Sequence, residues 1–174
     1  MSEVTANDAL TLRFERLVAP WREDLYRYAF WLCRDPHLAD DVVQEAMLRA
    51  FRSLDGLKDE ALVKTWLLTI VRREHARVYE RKSLQTRDID DLSAAEEALL
   101  ASSADSDIDD MRRAILELAD EYREPLALQV LMGLSTAEIA AAMSLNQGAV
   151  LTRLHRARKT LAERIGAELA AIEG

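Results

Sequence analysis

Residues 133–165 read GLSTAEIAAAMSLNQGAVLTRLHRARKTLAERI, and this stretch decides the fold of the C-terminal part of the chain. Ser135 and Glu138 match the capping-box pattern, which predicts that a helix begins there. A tight turn follows at residues 144–146. The second helix has one apolar stripe, made of Val150, Leu154, Ala157, Leu161 and Ile165. Two helices joined by a short turn are typical of a helix-turn-helix that places its second helix in a DNA major groove.

The opposite face of this second helix is basic in an otherwise acidic protein. Short polar side chains near the start of a helix can reach base edges, and arginines behind them can hold phosphates. The residues on this outer face are Gly148, Thr152, His155, Arg156 and Lys159, with Arg153 on the flank. A solvated face on an ordinary bundle helix is the plainer interpretation. The coincidence of cap, turn and basic face favours DNA.

Composition predicts an all-α protein. The 174 residues include only 5 Gly and 3 Pro, and the alternation typical of strands is absent. The single Cys33 excludes an internal disulfide, and no His or Cys spacing indicates a metal site or other cofactor. There is neither a signal segment nor an apolar run of about 20 residues that could span a bilayer, so we expect a cytoplasmic protein.

The net charge of −8 is unevenly distributed. Residues 64–87 hold seven basic and two acidic residues, whereas residues 88–124 hold thirteen acidic and three basic residues. Nucleic-acid affinity depends on local phosphate contacts, so a negative total does not exclude it. Residues 83–110 are acidic, rich in Ser and Ala, and lack a sustained apolar face. We therefore expect two small helical domains joined by an acidic flexible linker.

Start and stop signals place the remaining helices. Pro20 and Pro36 suit first helical positions, Gly56 suits a stop, and a weaker helix is expected before Pro20. The predicted helices cover about residues 21–33, 36–54, 60–82, 111–119 and 122–132.

The predicted helix at 60–82 carries an aromatic residue beside a row of arginines. Its outer stripe consists of Trp66, Ile70, Arg73, Arg77 and Arg81, while Leu67, Val71 and Val78 should face the core. Such a stripe can stack on unpaired bases and hold a single strand. Trp66 alone suits a core position equally well, but the full stripe favours nucleic acid.

The predicted helix at 36–54 has a mixed-charge face with Leu38 and Leu48 set into it, which suits a protein partner. Its charged members are Asp41, Glu45, Arg49 and Arg52, and the opposite, core-facing stripe is Val43, Met47, Ala50 and Leu54. A solvated face with a Glu45–Arg49 ion pair is the commoner outcome for such a pattern. No phosphate loop and no pairing of nucleophile and base is present, so we do not expect an enzyme.

With these residues in view, the chain resembles a bacterial sigma factor of the sigma-seventy family, and most closely the extracytoplasmic-function group. LADDVVQEAMLRAF at 38–51 is similar to the family's core-polymerase-binding helix. KTWLLTIVRREHAR at 64–77 resembles the segment that opens and recognises the minus-ten element. GLSTAEIA together with GAVLTRLHRARKTL resembles the domain that recognises the minus-thirty-five element.

The resemblance implies an RNA polymerase sigma factor that directs promoter-specific transcription initiation. Residues 1–82 would form a region-two-like domain, 83–110 the linker, and 111–174 a region-four-like helix-turn-helix domain. The implied partners are the clamp helices of the largest subunit of core RNA polymerase, promoter DNA and an anti-sigma factor, with no membrane insertion by the chain itself.

The resemblance also assigns three sets of residues. Core polymerase would be bound by Asp41, Gln44, Glu45, Leu48 and Arg52. The minus-ten element would be bound by Trp66, Arg73, Arg77 and Arg81. The minus-thirty-five element would be bound by Gln147, Gly148, Thr152, Arg153, His155, Arg156 and Lys159.

The chain departs from the family pattern at several positions. Ala46 and Met47 replace the usual hydroxyl and aromatic residues, and Arg73 stands where the family has Asn. Ser144 occupies a turn position where Gly is common, which costs about 1 kcal/mol if the residue is left-handed. Leu151 replaces a common Lys. These departures predict an unusual promoter preference within the same class.

Two other functions share part of this pattern. A stand-alone helix-turn-helix regulator would use the C-terminal unit but would have no use for the Trp66 stripe. A decoy module would occupy an anti-sigma protein without starting transcription. Duplex binding without polymerase would indicate the first, and polymerase binding without promoter opening would indicate the second.

Overall fold

The computed structural model describes residues 2–85 and 106–172, and these ranges contain helices and turns without a strand. Apart from the turn at Arg34–Pro36, which is grouped with the second unit, residues 2–85 form one compact unit and residues 106–172 a second. The prediction of an all-α chain with two helical domains is confirmed. Most of the predicted linker at 83–110 lies outside the described residues, but residues 83–85 still belong to a helix and 106–110 already begin the next.

Four helices form the first unit: α1 (Ser2–Leu17), α2 (Arg22–Cys33), α3 (Pro36–Ser53) and α4 (Val63–Gln85). Short 3₁₀ turns precede α2 at Ala19–Trp21, follow α3 at Leu54–Gly56 and precede α4 at Glu60–Leu62. The helix predicted from residue 60 therefore starts as a 3₁₀ turn. Asp59 caps that turn, because its side chain accepts a hydrogen bond from the Ala61 N–H at 3.0 Å.

The core of the first unit is formed by one face each of α2, α3 and α4. Its buried residues include Leu25, Tyr28 and Ala29 of α2, Ala39, Val42, Val43, Ala46 and Ala50 of α3, and Leu67, Leu68 and Val71 of α4. Three alanines on the inner face of α3 leave room for close packing. The charged faces of α3 and α4 are consequently left at the surface.

The weaker helix predicted before Pro20 is α1, and it closes the loop between α3 and α4. Arg13 donates hydrogen bonds to the carbonyls of Leu54 at 3.1 Å and Leu57 at 2.8 Å. Phe14 packs edge-on against Phe51 with ring centroids 5.3 Å apart. The helix therefore contacts the loop through hydrogen bonds and packs against α3 through an aromatic pair.

The second unit consists of α5 (Ser106–Leu116), α6 (Asp120–Val130), α7 (Thr136–Met143) and α8 (Gln147–Ile172). The first two begin and end earlier than the predicted 111–119 and 122–132. After α6 the chain reverses at Gly133, whose φ of +63° favours glycine. Helices α6 and α7 both pack against α8, with Leu128, Ile139 and Leu154 buried between them.

Arg123 is the charged residue at the centre of the second unit. Its guanidinium is 2% exposed and donates to the carbonyls of Leu116 at 3.1 Å and Leu118 at 2.8 Å. It also forms an ion pair with Asp120. Burial lowers the pKa of Arg123 from its ordinary value, but an arginine remains cationic in a protein. The side chain thus helps to satisfy carbonyls at the end of α5 and just after it, where no further helical turn pairs them.

Candidate nucleic-acid and partner surfaces

The α7–turn–α8 motif has the local geometry of a helix-turn-helix. The predicted capping box is present, since the Ser135 N–H donates to Glu138 Oε2 at 2.7 Å and the Glu138 N–H donates to Ser135 Oγ at 3.2 Å. Ser144 ends α7 in the left-handed conformation, with φ 55° and ψ 43°. The helix-turn-helix therefore forms although the left-handed residue in its turn is not glycine.

Asn146 caps the start of α8, a role that the sequence reasoning missed. Its Oδ1 accepts a hydrogen bond from the Ala149 N–H at 2.8 Å. A Cβ at Gly148 would lie 3.3 Å from the same oxygen, which is tight. The signal was available, because Asn is among the preferred cap residues and stands directly before the helix. The cap fixes the direction in which α8 leaves the turn.

The two faces of α8 separate as predicted. Val150, Leu154, Ala157 and Leu161 are buried, and Ile165 is half-buried. On the opposite side, Gln147, Gly148, Thr152, His155, Arg156 and Lys159 are exposed, and Arg153 is half-buried. The helix thus presents a basic surface to solvent while its apolar stripe packs on the unit's core.

Two of the predicted DNA-contacting side chains of α8 already have local hydrogen bonds. Thr152 Oγ1 donates to the Gly148 carbonyl at 3.0 Å. Arg156 donates to the hydroxyl of Tyr122 on α6 at 3.3 Å, and this hydrogen bond raises the pKa of Arg156. Because one contact uses only one of the five N–H donors of a guanidinium, Arg156 keeps donors for a phosphate.

The predicted stripe on α4 is only partly at the surface. Trp66 is half-buried, and Arg73, Arg77 and Arg81 are exposed. Ile70 is 7% exposed, so its placement on the outer stripe was wrong. Its apolar side chain lies with the core, since burial of an isoleucine is favourable. The half-exposed indole and the three arginines remain as the candidate nucleic-acid surface.

Arg77 is held by Glu74, a buried carboxylate that the sequence reasoning did not assign. Glu74 Oε1 lies 2.9 Å from Arg77 Nη1 and 2.6 Å from Nε of Arg49 on α3. Arg49 consequently forms its ion pair with Glu74, and within the described residues the alternative Glu45–Arg49 pair is not formed. The only signal was an acidic residue within a basic helix, which does not reveal burial.

The five residues predicted to bind polymerase share one exposed face of α3. Asp41, Gln44, Glu45, Leu48 and Arg52 are all exposed, and Leu48 retains 45% of its surface. Asp41, Leu48 and Arg52, with the adjacent pair Gln44 and Glu45 between the first two, recur every three or four residues and so lie along one side of the helix. The face has an apolar centre and charged flanks, which suits a protein partner.

Residues 2–85 and 106–172 contain neither a candidate metal site nor a candidate membrane span. No cluster of His, Cys, Asp and Glu among them could hold a metal ion. None of their helices is both long enough and apolar enough to cross a membrane.

Comparison with known proteins gives two family matches, one in each unit. The model of sigma-70 region 2 matches residues 17–84, and the model of sigma-70 region 4 matches residues 108–161. Among curated proteins, the ECF RNA polymerase sigma factor SigL of Mycobacterium tuberculosis is 32% identical over 143 residues. That match covers 79% of this chain and 80% of SigL.

Two solved structures match over most of the chain. The sigma factor RpoE of Bartonella quintana, crystallised with the anti-sigma factor NepR, matches with a TM-score of 0.73 and 22% identity over 88% of this chain and 97% of its own. At that identity the likeness shows the fold alone. CnrH, solved in complex with the cytosolic domain of CnrY, matches with a TM-score of 0.67 and 26% identity over 94% of both chains.

Proposed function

Because this chain belongs to the sigma-70 family of RNA polymerase sigma factors, in its extracytoplasmic-function group, we propose that its surfaces divide the work of initiation between the two units. The chain is a sigma factor that binds core RNA polymerase and directs promoter-specific transcription. Sigma factors are initiation factors without enzymatic activity, and we expect no catalysis by this chain. It would act in the cytoplasm, where polymerase and promoter DNA meet.

The exposed face of α3 would dock on the clamp helices of the largest polymerase subunit. This assignment is supported by the exposure of Asp41, Glu45 and Leu48 on one side of the helix. Asp41 and Glu45 form no ion pair with a described residue, so neither carboxylate would have to break one on docking. A central leucine between charged residues gives apolar contact area with polar edges, as protein interfaces have.

The outer surface of α4 would hold the melted minus-ten strand. Trp66 is half-exposed and can stack on an unpaired base, while Arg73, Arg77 and Arg81 can contact successive phosphates. Arginine at position 73, where the family has Asn, cannot present an amide to a base edge. We therefore expect this surface to rely more on stacking and phosphate contacts.

The outer face of α8 would enter the major groove of the minus-thirty-five element. The single observation that carries this assignment is the capped α7–turn–α8 motif with a buried inner stripe and an exposed basic face. Gln147 and Thr152 lie near the start of α8, where side chains reach base edges, and Arg156 lies farther along, where it can hold a phosphate.

We further propose that an anti-sigma factor regulates the chain, because RpoE was solved with the anti-sigma factor NepR and CnrH was solved with the cytosolic domain of CnrY. The acidic residues 83–110 would connect the two units and lie along the basic nucleic-acid path of the polymerase. The match of region 2 to residues 17–84 argues against a stand-alone helix-turn-helix regulator, which would need no such domain.

Transcription with purified core polymerase tests this function. The chain and core are combined on a pool of genomic promoter fragments, and transcript starts are mapped. We expect starts at a shared pair of upstream elements, dependent on both proteins. Binding to core without promoter opening would favour the decoy function, and sequence-specific duplex binding without core would favour the stand-alone regulator.

A further inference from the structure

Glu74 lies between the two helices to which the proposed function assigns polymerase and minus-ten DNA. It belongs to α4, and its side chain is 2% exposed. One oxygen, Oε1, forms an ion pair with Arg49 of α3, whose Nε lies 2.6 Å away, and accepts a hydrogen bond from Arg77 Nη1 of α4 at 2.9 Å. The two arginines are themselves about half exposed. A buried carboxylate is thus anchored by two cations that extend to the surface.

The geometry leaves both guanidinium groups with unused donors. Arg77 contacts Glu74 through one terminal nitrogen, so its Nε and second terminal nitrogen can still donate. A guanidinium whose position is already determined loses less side-chain entropy when it binds a phosphate. The group of Arg49, Arg77 and Glu74 also keeps a net positive charge, because one carboxylate is shared between two arginines.

We propose that Glu74 is a positioning residue for promoter opening, which fixes the Arg77 guanidinium for the melted strand and ties it to the polymerase-binding helix through Arg49. This inference rests on the proposed function, in which Arg77 contacts the minus-ten strand. Sequence patterns identify Arg77 as a cation on an outer face but do not identify what holds it. The structure assigns that role to a residue inside the unit.

The Glu74→Leu variant distinguishes a role of Glu74 in positioning Arg77 from a role in folding. Removing one partner of a buried ion pair is destabilising when it leaves a buried charge unpaired, but both arginines here are about half exposed and can be hydrated. The Glu74→Leu variant should therefore fold and bind core polymerase like the parent. Glu74→Gln is the second variant, for use if leucine disturbs packing. It keeps the shape of the side chain but loses the negative charge of the two ion pairs, so its slope should also fall.

The test uses holoenzyme assembled from core polymerase and each variant, on a promoter fragment whose minus-ten strand is already single-stranded. We measure affinity across a salt series. Arg77→Gln and Glu74→Leu should each reduce affinity about fivefold and lower the slope of log affinity against log salt by about 0.7, the loss of one contact to a single strand. The double variant should show no further loss. Glu80→Gln, which removes an exposed negative charge from the same helix, should leave the slope unchanged.

The outcomes are separable. An unchanged slope in Arg77→Gln would overturn both the minus-ten assignment of Arg77 and the role given to Glu74. A lowered slope in Arg77→Gln with an unchanged slope in both Glu74 variants would overturn positioning alone and leave the proposed function standing. Tighter binding by Glu74→Leu would also overturn it, because Glu74 would then compete with phosphate for Arg77.

Discussion

The guanidinium of Arg13 on α1 donates to the main-chain carbonyl of Leu57 at 2.8 Å, across the loop that joins α3 to α4. The same side chain donates to the Leu54 carbonyl at 3.1 Å. We expect Arg13→Ala to lower the free energy of unfolding by about 2 kcal/mol, because it removes charged donors from part-buried carbonyls. Urea unfolding followed by circular dichroism measures this.

Arg16→Ala is the matched control for Arg13. Arg16 lies one turn farther along α1, and its side chain pairs with the exposed carboxylate of Glu60 at 3.1 Å. An exposed ion pair contributes about 0.5 kcal/mol or less. Equal losses in the two variants would show that the carbonyl contacts of Arg13 are not what stabilises the loop.

Removing the carboxylates of Asp41 and Glu45 should weaken polymerase binding without affecting the fold. Both side chains are exposed and unpaired among the described residues, so their loss should leave the melting temperature unchanged. We expect the double alanine variant to bind core polymerase about tenfold more weakly, equivalent to about 1.4 kcal/mol. Glu15 and Glu80 are exposed acids elsewhere in the same unit. If their double alanine variant weakens binding equally, net charge rather than the α3 face is responsible.

Arg156→Gln should reduce the salt dependence of binding to minus-thirty-five duplex by holoenzyme. Loss of one phosphate contact lowers the slope of log affinity against log salt by about 0.9 for duplex DNA. Arg164 provides the control, since it lies on the same helix and pairs with Glu117. A slope that falls as much in Arg164→Gln would mean that the location of the charge on α8 does not matter.

Ser144→Gly should stabilise the second unit. Ser144 has a φ of 55°, a conformation that costs a residue with a Cβ about 1 kcal/mol or more, and the greater freedom of unfolded glycine offsets part of the gain. We expect a net increase of about 0.5 kcal/mol in the free energy of unfolding. Ser144→Ala keeps the Cβ and should show no increase. A higher free energy of unfolding in the alanine variant would show that the Ser144 hydroxyl, and not the left-handed backbone, is destabilising.

Periodicity and capping predicted much of the fold, because both depend on residues close in sequence. The buried stripe of α8 and the capping box at Ser135 required only neighbours three or four positions away. Ile70 was assigned to the wrong face because its burial depends on packing with residues that are distant in sequence. A step of four from Trp66 does not show whether a residue is buried. Glu74 was missed because its partner Arg49 lies on another helix, and no local pattern records that contact.

The residues of α8 that we propose contact the promoter could be chosen from spacing, and all of them except the half-buried Arg153 are exposed. What spacing could not supply was the set of hydrogen bonds already made, such as Arg156 with Tyr122 and Thr152 with the Gly148 carbonyl. These depend on the packing of α6 against α8 and on side-chain rotamers. They determine which donors remain for DNA.

The buried guanidinium of Arg123 has a consequence for the order in which the second unit folds. Arg123 lies on α6, but two of the carbonyls it satisfies, those of Leu116 and Leu118, belong to the end of α5 and the turn after it. These two carbonyls therefore gain the hydrogen bonds from Arg123 only once the first turn of α6 has formed. If these contacts are made early, truncating Arg123 should slow refolding more than it accelerates unfolding. During synthesis α5 leaves the ribosome before α6, so the carbonyls at its end lack Arg123 until the start of α6 has emerged.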